Sequence, residues 1–255
     1  MIKKVLKKEN IRKIIIKGYR KKSSVGIDGI TWDYYFHNQE KMIPILQQRI
    51  LHYEPKDKFK KWQFKRGKRE YTIIIPDIED RIIEMVICMV LEQENIWYYK
   101  KFLEKSFKGE NAFYHYVSIY LKKYGRYVCQ IDIERFFDSI DHSLFNDFLL
   151  EYILDKDLIS LVKIILSIKG NNKGLIIGHP LSTYLADKFL YLIDKKISDK
   201  SVLRFVDNFL FFSSKKQECK YFFTLLSQLL KEINLSVNQE KSTIIYDPNI
   251  RNLLL

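Results

Sequence analysis

An aspartate lies between two apolar runs in S-V-L-R-F-V-D-N-F-L-F-F-S, Ser201 to Ser213. Val202 to Val206 and Phe209 to Phe212 read as two short strands, and the Asp207-Asn208 pair between them is hairpin turn chemistry. Such a hairpin presents Asp207 at its tip. A second acid-bearing run, V-C-Q-I-D-I-E-R-F-F-D, spans Val128 to Asp138, with β-prone Ile131 and Ile133 on either side of Asp132. Lying side by side, the two strands point both carboxylates into one cleft. Two such acids repel unless a divalent cation lies between them.

The chain has 255 residues, long enough for one large domain or two lobes sharing a core. Cys88, Cys129 and Cys219 are scattered and form no C-x-x-C pair, which argues against a zinc site and for a reducing, cytoplasmic setting. No signal peptide follows Met1, and no apolar run reaches the length of a membrane span. The net charge is +13, unevenly spread. Residues 3 to 22 carry ten Lys or Arg against the single acid Glu9. Lys56 to Arg69 carries eight against Asp57, with Phe59, Trp62 and Phe64 interleaved. Basic blocks mixed with aromatics suit phosphates and stackable bases, although a solvated lysine-rich surface has the same composition.

Apolar spacing predicts a basic helix over Lys3 to Lys21, with a stripe at Val5, Ile11, Ile14 and Ile15, and a helix over Asp80 to Trp97. Further helices are expected over Ala112 to Leu121, from His142 to Tyr152 after Asp141, and from an Asp157 cap through Leu166. The last two begin at Pro180 and span Lys220 to Ile233. Helices backing one side of a small antiparallel sheet give an α+β fold. There are no internal repeats and no low-complexity tracts.

Seven segments in order resemble the reverse transcriptases of bacterial retroelements, the superfamily that includes group II intron, retron, diversity-generating and abortive-infection enzymes. They are S-V-G-I-D-G-I-T (Ser24 to Thr31), I-I-I-P-D-I-E-D-R-I-I (Ile73 to Ile83), S-F-K-G (Ser106 to Gly109) and Q-I-D-I-E-R-F-F-D-S-I-D-H from Gln130. After them come G-L-I-I-G-H-P-L-S-T-Y-L-A (Gly174 to Ala186), the R-F-V-D-N hairpin and L-S-V-N-Q-E-K-S (Leu235 to Ser242). The resemblance implies a right-hand polymerase fold of fingers and palm, the small antiparallel sheet being the palm. Residues 1–125 are then a basic N-terminal helix and mostly fingers, and 126–248 mostly palm with 145–175 returning to the fingers. Residues 249–255 are a tail. Only residues 242–255 follow Lys241, so a thumb is expected to be absent and a protein or RNA partner to supply the duplex clamp.

The resemblance also implies roles. Asp132 and Asp207, with the Ile133 carbonyl, would hold Mg²⁺ or Mn²⁺ for nucleotidyl transfer. Asn208 stands where the family usually has a second aspartate of Y-x-D-D; an amide keeps the size and one acceptor oxygen but removes a charge. Phe137 falls where an aromatic stacks under the incoming sugar and selects deoxynucleotides. Lys241 matches a lysine that protonates departing pyrophosphate. Lys65, Lys68 and Arg69 resemble the triphosphate grip, and Ile177 and Gly178, with Pro180 and Ser182, the loop-helix element under the templating pair. His179 in that loop is read as solvated or touching a phosphate. Arg81 is similar to a residue near the template strand, and Asp28, Gly29, Ser106 and Gly109 to positions that shape the template path.

The expected activity is RNA-directed DNA synthesis from dNTPs, with an RNA template and an RNA–DNA hybrid as partners and no membrane. Two other readings are a template-independent or protein-primed DNA polymerase of a phage-defence system and a catalytically silent nucleic-acid-binding subunit.

Overall fold

The structure is a computed structural model that describes residues 1–21, 24–56, 60–66, 69–94, 110–168, 172–197, 199–249 and 253. From the start of the chain run α1 (Ile2–Val5), α2 (Lys8–Lys21), α3 (Trp32–His37) and α4 (Gln39–Leu51). The strands β1 (Lys60–Arg66) and β2 (Arg69–Ile75) precede α5 (Ile78–Gln93). Next come α6 (Glu110–Tyr124), β3 (Tyr127–Asp132), α7 (Phe136–Ser139), α8 (His142–Tyr152) and α9 (Lys156–Ile165). The last elements are α10 (Pro180–Phe189), α11 (Tyr191–Asp194), β4 (Val202–Phe205), β5 (Asn208–Ser213), α12 (Lys216–Lys231) and β6 (Thr243–Tyr246).

The chain divides into two compact units, one of residues 1–96 and 142–186, the other of residues 97–141 and 187–255. In the first, α2 buries Ile11, Ile14, Ile15 and Gly18 against α3, α4 and α5, as their spacing of three and four requires. Its basic residues Lys13, Lys17, Arg20 and Lys21 face outward. The stripe that begins at Val5 belongs to two helices, because the chain turns at Leu6 and Lys7. The α9 cap is Asp155, whose side chain accepts from the Leu158 N–H at 3.0 Å; the expected cap, Asp157, lies inside the helix. β1 and β2 pair antiparallel from Lys60–Ile75 to Arg66–Arg69.

The second unit is built on an antiparallel sheet of order β4-β5-β3-β6. Sequence spacing points to helices on one side, but both faces are covered. Val128, Leu203, Leu210 and Phe212 pack with Val117 and Tyr120 of α6. On the other face Phe211 stacks on Phe222 of α12, ring centroids 4.6 Å apart, beside the buried Cys129 and Cys219. Double coverage explains why β3 and β5 are nearly continuous apolar runs rather than alternating ones. Each large apolar side chain removed from water here contributes about 1.5–3 kcal/mol. α6 belongs to the same compact unit as the sheet it covers. All three cysteines are free thiols, and among the described residues no helix is long and apolar enough to cross a membrane.

Candidate active site

Asp132 ends β3, and the register sets it directly opposite Asn208, the first residue of β5. Cross-strand partners have Cα atoms about 4.5–5.5 Å apart, so the carboxylate of Asp132 and the amide of Asn208 rise from neighbouring points on one face. Phe205 pairs with Asn208 across the hairpin, which makes Val206-Asp207 the two-residue turn. The sequence placed the turn one residue later, at Asp207-Asn208, because asparagine tolerates left-handed backbone. Instead it is Val206 that adopts φ 55°, a conformation costing a β-branched residue about 1–2 kcal/mol.

Asp207 is half-buried at this turn. Burial first, then the charge of Asp132, pushes its carboxyl up to about 6, while Lys241 and Arg204 pull the other way. Asp132, Asp207 and Lys241 therefore share one electrostatic neighbourhood within the second unit. Asn208 donates from Nδ2 to Oδ1 of Asp207 at 3.3 Å. Phe137 is half-buried and meets the buried Phe136 edge-on at 5.5 Å. Of this adjacent pair, Phe136 is the core residue.

Asp132 is held by a segment from which sequence reasoning took only Lys241. The Asn238 side chain donates to Oδ1 of Asp132 at 2.9 Å and its backbone N–H donates to the Asp132 carbonyl at 2.8 Å. The Asp132 N–H donates to Ser242 Oγ at 3.1 Å, Glu134 N–H to the Ser236 carbonyl at 2.8 Å, and Ile133 bridges Val237. The signal was present as a polar Asn inside L-S-V-N, yet nothing local says which distant strand it meets.

Arg204 was also missed. It is 6% exposed. Its Nε and Nη2 donate to Asp194, Nη2 to Oδ2 at 2.6 Å, and its Nη1 to Asp187 Oδ1 at 2.6 Å. Burial works against its charge, and the two carboxylates outweigh that and raise its pKa.

The remaining candidates that the structure describes lie in the first unit, and several of them have packing roles. Arg81 is buried, its Nε donating to the Pro76 carbonyl at 2.9 Å and its Nη2 to that of Ser24. The Asp28 side chain accepts from the Ile30 N–H at 3.0 Å in an exposed turn where Gly29 takes φ 70°. The Ile177 carbonyl accepts from the Ile74 N–H at 2.9 Å. Gly178 follows at φ 110°, where a Cβ would come within 1.9 Å of the Ile74 carbonyl oxygen, so no other residue fits. His179, expected in solvent, is 2% exposed and pairs through Nδ1 with Glu84 at 2.7 Å. Glu84 also accepts from the Leu181 N–H at 3.0 Å near the start of α10. Pro180 opens that helix, and Ser182 is fully buried. Lys65 and Arg69 lie on β1 and β2, but their side chains are outside the described residues, as are Lys68, Ser106 and Gly109.

The donors that the register brings together suit a hard divalent cation: two carboxylates whose mutual repulsion is felt by Asp207, and the Asn208 amide opposite Asp132. Among the described residues no group of three or more His, Cys, Asp or Glu could hold a metal. A site of two carboxylates suits Mg²⁺, which completes its shell with water and phosphate oxygens.

The family described as reverse transcriptase (RNA-dependent DNA polymerase) matches residues 57–253. No curated protein matches the sequence significantly. Among solved structures, apo telomerase from Candida tropicalis is similar over 85% of this chain and 49% of its own, at 12% identity and TM-score 0.53. A form truncated of its C-terminal domain matches over 73% of this chain and 49% of its own, at 15% identity and TM-score 0.52. Telomerase from Candida albicans, in complex with a TWJ fragment of telomeric RNA, matches over 74% and 41%, at 12% identity and TM-score 0.52. The chain spans less than half the length of these telomerases, and at such identities the likeness is one of fold: the fingers-palm arrangement of mixed helix and antiparallel sheet.

Proposed function

Because the chain belongs to the reverse transcriptase family, we propose that it is an RNA-directed DNA polymerase of the bacterial retroelement kind, extending a primer with dNTPs. The observation that carries this is the pairing of Asp132 with Asn208, which sets Asp207 beside Asp132 closely enough for one charge to raise the other's pKa. Asp132, Asp207 and the Ile133 carbonyl would hold the divalent cations, which supply activation of the 3′-hydroxyl and charge neutralisation at the triphosphate. Asn238 and Ser242 keep Asp132 in place by binding its carboxylate and backbone. Lys241 offers an ammonium to the departing pyrophosphate. Phe137, half-exposed next to a core Phe136, provides the flat surface under the sugar. An RNA template is in keeping with the telomeric RNA of the Candida albicans structure.

Primer extension on RNA and DNA templates, with Mg²⁺ or Mn²⁺, tests the reading. Incorporation on RNA that is lost in Asp132→Asn and Asp207→Asn supports it. Asn208 favours a second reading, a silent nucleic-acid-binding subunit. Wild-type silence in both metals, with activity restored by Asn208→Asp, would establish that one. Addition without any template would instead indicate a template-independent enzyme.

A further inference from the structure

The turn that presents Asp207 is closed by the Phe205–Asn208 pair, but its first residue is held in a strained backbone conformation. Val206 sits at φ 55°, where a β-branched side chain is least at home. Its carbonyl oxygen accepts a 2.7 Å hydrogen bond from Nη1 of Arg204. The same nitrogen reaches Asp187 Oδ1 at 2.6 Å, and the far side of the guanidinium is forked onto Asp194, which is 2% exposed. A buried ion pair with Asp194 alone would satisfy the charge. The contact to Val206 is additional and lands on the residue before Asp207.

From this geometry we infer that Arg204, anchored by Asp194 and Asp187, is a positioning residue that locks the left-handed turn and so aims Asp207 at Asp132. The inference rests on the polymerase reading only for its effect on turnover. The lock itself is a property of the unliganded fold. A guanidinium is required because three acceptors lie in different directions in a buried site. An ammonium is a point donor on a flexible stem and cannot fork onto a carboxylate while reaching a carbonyl. Arg204 pairs with Phe209 across the hairpin, its guanidinium 5.9 Å from that ring's centroid, which fixes the plane of the fork.

The test is amide hydrogen exchange of the whole protein, metal-free, combined with primer-extension kinetics. The variants are Arg204→Lys, the milder Asp194→Asn, and Leu230→Ala in the buried face of α12 as a general destabilisation control. In Arg204→Lys and Asp194→Asn, exchange across residues 204–208 accelerates about tenfold or more while α12 stays within about twofold of wild type. Turnover falls about 10- to 100-fold with the KM for dNTP little changed. Leu230→Ala accelerates exchange in α12 as well. Adding Val206→Gly to Arg204→Lys recovers part of the lost turnover, since glycine adopts φ 55° unaided; a residue that merely stabilised the unit would show no such rescue. Wild-type exchange at the turn in Arg204→Lys overturns the inference. So does equal acceleration in the turn and α12 in both clamp variants, which would make Arg204 a core ion pair. If the wild type incorporates no nucleotide, the polymerase reading fails and the exchange pattern still decides the role of Arg204.

Discussion

Asn238 grips Asp132 twice, by its side-chain amide on Oδ1 at 2.9 Å and by its backbone N–H on the carbonyl at 2.8 Å. The side chain is 1% exposed, and its own Oδ1 is buried without a hydrogen-bond partner. A buried amide with one unmet oxygen is retained at a cost, which points to what its nitrogen holds. Asn238→Ala is expected to lose about 1–3 kcal/mol of stability and to weaken Mn²⁺ binding. Denaturant titration and calorimetric titration of the metal check both.

Asp207 has its carboxyl pushed from 3.8 up to about 6 in the folded chain. A raised carboxyl pKa means that the native state holds the proton more tightly than the unfolded state. The stabilisation linked to that proton is full below pH 4 and lost as pH rises through 6. Asp207→Asn should therefore raise stability at pH 7 by up to about 3 kcal/mol, show little difference near pH 3.5, and abolish incorporation. Thermal melts at the two pH values test it. In the wild type, added Mg²⁺ should recover part of the same deficit at pH 7 by neutralising the pair.

Asn208→Asp would add a carboxylate directly opposite Asp132. Metal binding is expected to tighten and any preference for Mn²⁺ over Mg²⁺ to shrink, because a third negative charge strengthens the hold on the harder ion. The metal-free protein should melt at a lower temperature for the same reason. Incorporation rates across a titration of each metal would show the shift.

Phe136 and Phe137 are neighbours with different surroundings, the first 3% exposed and the second half-buried. Phe136→Ala should cost about 3–5 kcal/mol as a core truncation. Phe137→Ala should cost far less and admit ribonucleotides, read as a rise in rNTP over dNTP incorporation. A Phe137→Ala enzyme that still excludes ribonucleotides would remove the steric-gate role.

The acidic strands were legible because their signal is local: each aspartate is set in a β-prone apolar run, and the register lays the two runs side by side. Asn238, Arg204 and Glu84 were not, because each acts on a residue far along the chain or through a backbone atom that no side-chain pattern advertises. His179 was misread for a related reason. It stands in a loop between Gly178 and Pro180, residues typical of exposed turns, and only the placement of α5 supplies Glu84 to pair with it.

What the sequence by itself determined is the main helices from α2 and α5 through α12, the two acid-bearing strands β3 and β4-β5, and their apolar faces, but not α3, α4, β1, β2 or β6. Periodicity and turn chemistry are short-range and survive in a string of letters. Only the tertiary structure decided the strand register, which moved the turn from Asp207-Asn208 to Val206-Asp207, and the choice of covering both faces of the sheet. A one-residue change of register is nearly invisible to local propensity, yet it selects which side chain faces Asp132. That choice is made by packing and hydrogen bonds summed over the whole sheet.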